Sequence, residues 1–190
     1  AMTRWYEEAD RPHSGRWIVL ISFLMGLSIG VHLLNLLSIP AIVFMYFYRI
    51  RESRKYSFME LCGIFVLSCI ILAAVLFGII PLLPKAAAYT DLLFVNVFGL
   101  PFNSGAAAFM ILLFSTLFYA LFQTLKRGKV LANTVLLCLT SIIIGFSLYT
   151  TVIIRSNANT PMNENKPDNP FTLISYLNRD QFPKGPIIYG

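Results

Sequence analysis

The chain has 190 residues, 57% of them hydrophobic and 13% charged, with a net charge of +6. Soluble domains carry charge on roughly a quarter of their residues, so this composition excludes an ordinary soluble domain. The basic balance sits in loops rather than on a polar element interleaved with aromatics, which excludes nucleic-acid binding and points to topology and lipid headgroups.

The first 16 residues, "AMTRWYEEADRPHSGR", mix both signs of charge and have no secretory cleavage pattern. Residues 17–48 then contain no Asp, Glu, Lys or Arg. One helix of that length would run about 48 Å, against a hydrocarbon core of about 30 Å. Two readings fit: a tilted helix kinked at Pro40, or a hairpin of helices 17–31 and 34–48 turning near residues 31–33. The hairpin moves His32 and Asn35 out of the apolar middle, where burying them is costly. It also leaves the N-terminal segment, with Arg4, Arg11 and Arg16, on the cytoplasmic side. Gly26 and Gly30 form a GxxxG, a close-approach face for a neighbouring helix.

Further apolar runs cover 61–84, 105–125 and 130–154. The basic loops holding Arg49, Arg51, Arg54 and Lys55, and Lys126, Arg127 and Lys129, read as cytoplasmic by the positive-inside rule. Pro81 and Pro84 are expected to end the second run, leaving about 85–104 as an external loop. Cys62, Cys69 and Cys138 read as small buried thiols, with no metal-ligand spacing around them. Asn133, Thr134, Thr140 and Ser141 can bond across helices or back to their own carbonyls. The predicted fold is therefore all-α: a polytopic bundle with spans near 17–31, 34–48, 59–83, 105–125 and 130–153. An external tail, 155–190, follows. Within it "NPFTLISYLNRDQF" predicts a short helix with Asn169 as N-cap and Pro170 at its first position.

No nucleotide-binding, hydrolase or zinc-protease motif occurs. The chemistry-bearing residues are polar groups expected where helices end externally: His32, Asn35, Asn103, Arg155, Asn157, Asn159 and Glu164. Such a group suits sugar hydroxyls or a lipid phosphate, with Arg155 the natural phosphate ligand. The competing reading is ordinary polar loops with capping asparagines.

Three stretches carry a resemblance: "RWIVLISFLMGLSIGVHLLNLLSIPAIVFMYFYR", "LLFVNVFGLPFNSG" and "VIIRSNANTPMNENKPDNPFTLISYLNRDQFPKGPIIYG". They are similar to successive parts of a bacterial membrane-protein family related to the protein O-mannosyltransferases and so to GT-C glycosyltransferases. The resemblance implies sugar transfer from a polyprenyl-phosphate donor to a protein or glycan acceptor outside the cytoplasm, in the bacterial inner membrane. It also favours the hairpin, since four helices precede this region in such bundles. The family's catalytic Asp-Cys-Gly-Glu string belongs to an earlier external loop and does not occur here. The chain is thus expected to be a piece of a longer protein, inactive alone, with no catalytic residue of its own. No cofactor or metal ligand is read from its residues, although a divalent metal suits charge building on the leaving phosphate. The alternatives are a transporter subunit, disfavoured by the scarcity of ionisable residues at mid-membrane, and a non-catalytic membrane scaffold.

Overall fold

The computed structural model describes residues 1–51, 56–158, 160–163, 165–178 and 180. Among them every regular element is helical: α1 (Met2–Glu8), α2 (Gly15–Ile29), a 3-10 turn (Leu33–Leu37), α3 (Ser38–Ile50), α4 (Phe58–Ala73), a π-helical turn (Ala74–Ile79), α5 (Ile80–Phe98), α6 (Ser104–Lys126), α7 (Val130–Ser147), α8 (Thr150–Asn157) and α9 (Pro170–Leu177). The chain forms two compact units. The first holds residues 1–80 and 114–148, the second 81–113 and 149–190.

In the first unit α2 and α7 form the main packing pair. Their backbones nearly touch. A Cβ on Gly26 would strike the backbone of Ile142, and one on Gly145 would lie 2.7 Å from Phe23 O and Leu27 N. Gly30, expected to share this role with Gly26, is exposed and instead ends α2, donating its N–H to Leu27 O at 3.1 Å. The close-approach partner is a glycine of another helix, a pairing that spacing along one helix does not disclose.

After Gly30 the chain breaks its helical course. His32 is extended, the 3-10 turn follows, and α3 runs back alongside the start of the chain. The return is fixed at both ends. Near the turn, Ser38 Oγ lies 3.6 Å from Met25 Sδ of α2. At the other end Arg49 Nε donates to Tyr6 O at 2.9 Å, and Tyr46 stacks on buried Trp5 at 5.1 Å. Pro40 sits in the first turn of α3, where its missing N–H has no intrahelical acceptor to lose. Residues 17–48 are therefore a hairpin. The helix α4 opens on a capping box: Glu60 accepts from Ser57 N at 3.2 Å while Ser57 caps the Glu60 N–H. Glu60 also pairs with Arg51 across residues 52–55.

The prolines do not end the second run. The helical course continues from Phe58 to Phe98, 41 residues, about twice what one bilayer crossing takes. Pro81 and Pro84 supply no N–H to the carbonyls four residues earlier, and their rings crowd them. The π turn just before them widens the ladder: Ile80 N–H reaches back five residues to Val75 O. The expected external loop 85–104 is thus mostly helix.

Many apolar side chains face outward. Phe58, Phe77 and Leu131 are each more than three-quarters exposed. Along α6 only Gly105 and Leu117 are buried. A soluble protein does not leave such faces open; against lipid they carry no penalty. Cys62 and Cys69 are exposed on the same kind of surface, correcting the expectation of buried thiols. The polar groups inside these helices are satisfied internally. Asn133 Nδ2 donates to Leu121 O at 3.0 Å and Thr124 Oγ1 at 2.9 Å, tying α7 to α6, and Thr140 Oγ1 donates to Leu136 O at 2.7 Å.

In the second unit α5 and the first turns of α6 pack through Asp91 and Gly105. Below α8 the polar segment 158–169 leads to α9. There Asn169 Oδ1 accepts from Phe171 N and Thr172 N, both at 3.0 Å, with Pro170 at the first position. This is the predicted cap and start.

Candidate functional site

The candidate residues fall into two groups, one in each unit. In the first, His32 caps the 3-10 turn: its Nδ1 accepts from Leu34 N at 3.3 Å, and its carbonyl accepts from Asn35 N at 3.1 Å. The neutral tautomer in this cap carries its proton on Nε2, which points a donor outward from an exposed ring. Asn35 gives its carbonyl to Ser38 Oγ at 2.6 Å. Its carboxamide is exposed and has no partner among the described residues.

In the second unit Asn103 stands at φ +69°, a conformation Asn tolerates better than most residues. The strain is held by Asp91. Its Oδ2 accepts from Asn103 N at 3.1 Å, and its Oδ1 from Gly105 N at 2.9 Å and Ala106 N at 3.4 Å. A buried carboxylate from α5 thus caps the N-terminus of α6, where the first N–H groups have no intrahelical acceptor and the helix dipole favours negative charge. Gly105 is required by the same contact, because a Cβ there would run into the backbone of Thr90 and Asp91. The Ser104 hydroxyl in this turn is buried with no partner among the described residues, one polar atom left for a ligand or a water.

Arg155 and Asn157 lie on α8. The Arg155 side chain is exposed and makes no hydrogen bond or ion pair among the described residues. Asn157 is already engaged: its Nδ2 donates to Ile153 O at 2.9 Å and Asp168 O at 2.8 Å. Beside it Ser156 Oγ donates to Asn163 Oδ1 at 2.9 Å, and Asn163 Nδ2 returns a bond to Ser156 O at 3.0 Å. Tyr89 of α5 meets Phe171 of α9 edge to face at 6.0 Å. Asn157 and Asn163 therefore fold the loop back on α8. Asn159 and Glu164 lie outside the described residues.

Sequence reasoning missed the central residue of this region, Asp91. A signal existed: it is the only acid between Glu60 and Glu164. No cluster of three His, Cys, Asp or Glu side chains that could hold a metal occurs among the described residues.

Helices open to lipid, internally satisfied polar groups and, among the described residues, four helical segments long and apolar enough to cross a bilayer define an all-α integral membrane protein. Residues 1–56 match the family model of the protein O-mannosyl-transferase TMEM260 N-terminal domain. That stretch comprises α1, α2, the 3-10 turn and α3, and there the similarity agrees with the resemblance to protein O-mannosyltransferases read from the sequence. No curated protein and no solved structure matches the chain.

Proposed function

We propose that the chain is part of the membrane domain of a GT-C-type glycosyltransferase that moves a sugar, mannose by the name of the matched domain, from a polyprenyl-phosphate donor to a protein or glycan acceptor outside the cytoplasm. The observation that carries the reading is the match of residues 1–56 to an O-mannosyltransferase domain. In this reading the N-terminal segment is cytoplasmic, five helices cross a bacterial inner membrane, and the chain from Arg155 onward is external. The helix α2 is short for a crossing, about 22 Å, and Arg16 and Trp17 at its start suit an interfacial anchor that makes up the difference.

The chemistry is a displacement at the anomeric carbon. The acceptor hydroxyl attacks as a carboxylate elsewhere in the protein takes its proton, and the C–O bond to the polyprenyl phosphate breaks, leaving the electron pair on the phosphate. Charge grows on that phosphate, and a fixed cation beside it lowers the barrier. Arg155, exposed and without a side-chain partner among the described residues, has the chemistry for that position. Among the described residues the side chains of Asn35 and Asn103 and the Nε2–H of His32 make no hydrogen bond; each is separately a candidate for sugar or acceptor hydroxyls, with Asn159 and Glu164 as further candidates. Asn157 serves instead to hold the loop.

The test uses the full-length protein in liposomes with polyprenyl-phosphate-linked mannose and a Ser/Thr-rich peptide. Arg155→Ala is expected to lower transfer by about tenfold or more with an unchanged melting temperature, and Arg155→Lys to restore part of it. Undiminished transfer by Arg155→Ala removes the phosphate role. Failure of the wild type to transfer from any polyprenyl-linked sugar overturns the transferase reading itself.

A further inference from the structure

A cavity of about 510 Å³ opens in the first unit where the α1–α2 connection, the end of α3 and the first turns of α7 meet. Its volume lies within the range of small-molecule sites, about 300–1,000 Å³. None of the candidate residues above lines it. Its walls have a definite chemistry. Arg49, only 16% exposed, contributes a guanidinium paired with the carboxylate of Asp10, which is itself 85% exposed. Ser14 lines the cavity just before the first residue of α2 and makes no side-chain cap bond. Trp5 and Tyr46, stacked on each other, supply the aromatic wall.

Location narrows the ligand. The start of α2, the end of α3 and the start of α7 are the ends of apolar helices, so the cavity lies at the boundary between lipid and water. Trp and Tyr concentrate at that level of a membrane protein. A half-buried cation beside an exposed carboxylate matches a ligand carrying both signs. A phosphodiester would join Tyr6 O and Asp10 around the guanidinium as a further acceptor. A primary ammonium would take the Asp10 carboxylate with N–H donors that a quaternary ammonium lacks.

We infer that this cavity is a binding site for the phosphoethanolamine headgroup of a membrane phospholipid, with Arg49 on the phosphodiester, Asp10 on the ammonium and Ser14 as a further donor. The inference rests on the membrane character of the protein and is independent of the transferase reading.

Native mass spectrometry of the full chain, released from nanodiscs containing equal parts of phosphatidylethanolamine, phosphatidylglycerol and phosphatidylcholine, tests it. The expected result is retention of phosphatidylethanolamine about tenfold over phosphatidylcholine. Gly15 lines the cavity and a Cβ there meets nothing within 4 Å, so Gly15→Leu can fill the space without disturbing the fold. It is expected to abolish the preference at an unchanged melting temperature. Ala9→Leu serves the same purpose should Gly15→Leu misfold. Asp10→Asn is expected to erase discrimination between ethanolamine and choline lipids. Equal retention of all three lipids by the wild type, or a preference untouched by both filling variants, overturns the site. Full displacement of the lipid by an equal concentration of soluble glycerophosphoethanolamine overturns the assignment to a membrane lipid.

Discussion

Gly26 of α2 and Gly145 of α7 meet backbone to backbone: a Cβ placed on Gly145 would lie 2.8 Å from the carbonyl carbon of Gly26. Helices in lipid gain nothing from hiding apolar surface from water, so close van der Waals contact through small residues holds them together. Here the contact involves the most extensive helix pair of the first unit. Gly26→Val and Gly145→Val are each expected to destabilise the protein by about 1–3 kcal/mol or more, read as a lower melting temperature in detergent. Gly30→Ala, outside the contact, is expected to change it little. A melting temperature as insensitive at Gly26 as at Gly30 would show that the two helices do not cross there.

The cap of α6 makes a second, separable prediction. Asp91→Ala leaves the N–H groups of Asn103, Gly105 and Ala106 without their acceptor, at a cost of roughly 1.5–3 kcal/mol. Asp91→Asn keeps an oxygen acceptor and is expected to lose less. Hydrogen exchange at the start of α6 checks this directly. Faster exchange confined to those amides, graded Ala above Asn above wild type, is the expected pattern.

Glu8 links acidity to the docking of α1. The indole of Trp17 donates to its carboxylate at 2.9 Å, Arg16 donates at 3.0 Å, and Arg4 and Arg11 stand at 4.0 and 3.9 Å. These partners, Trp17 first and Arg16 next, hold the carboxyl below its ordinary value of 4.5. A carboxylate so lowered stabilises the fold above its unfolded pKa, and that contribution is lost as pH falls through the folded value. The packing of α1 on α2 is therefore expected to be indifferent to pH near neutrality and to loosen in acid below about 4.5. The two tryptophans, Trp5 and Trp17, both lie in this region, so intrinsic fluorescence reports the change. Glu8→Gln is expected to remove the acid transition.

The hairpin also predicts sidedness. On the proposed five-crossing topology, the N-terminal segment and the tail after α8 are expected on opposite faces of the membrane. Trp5 is too buried for labelling, whereas Arg4 is exposed and Met162 almost wholly so. In a protein whose three native cysteines are replaced, a membrane-impermeant maleimide is expected to reach cysteines at Arg4 and Met162 from opposite sides. Labelling of both from one side would remove the five-crossing topology.

Hydropathy alone determined that these helices would be membrane-sized, because their period and length are local properties. The Asn169–Pro170 helix start was legible for the same reason: a cap is made by residues within a few positions of one another. The break after Gly30 was weighed from length and desolvation cost, and the His32 cap explains why an imidazole stands there, since its ring nitrogen takes up a turn amide. What tertiary structure alone decided were the contacts between segments distant in sequence. It chose Gly145 rather than Gly30 as the partner of Gly26, and it turned Asp91 from a stray acid into the cap of α6. It also carried the helix through Pro81 and Pro84, because a π turn widened the ladder at the preceding residues. Each depends on where a second backbone comes to lie, and no spacing within one segment contains that distance.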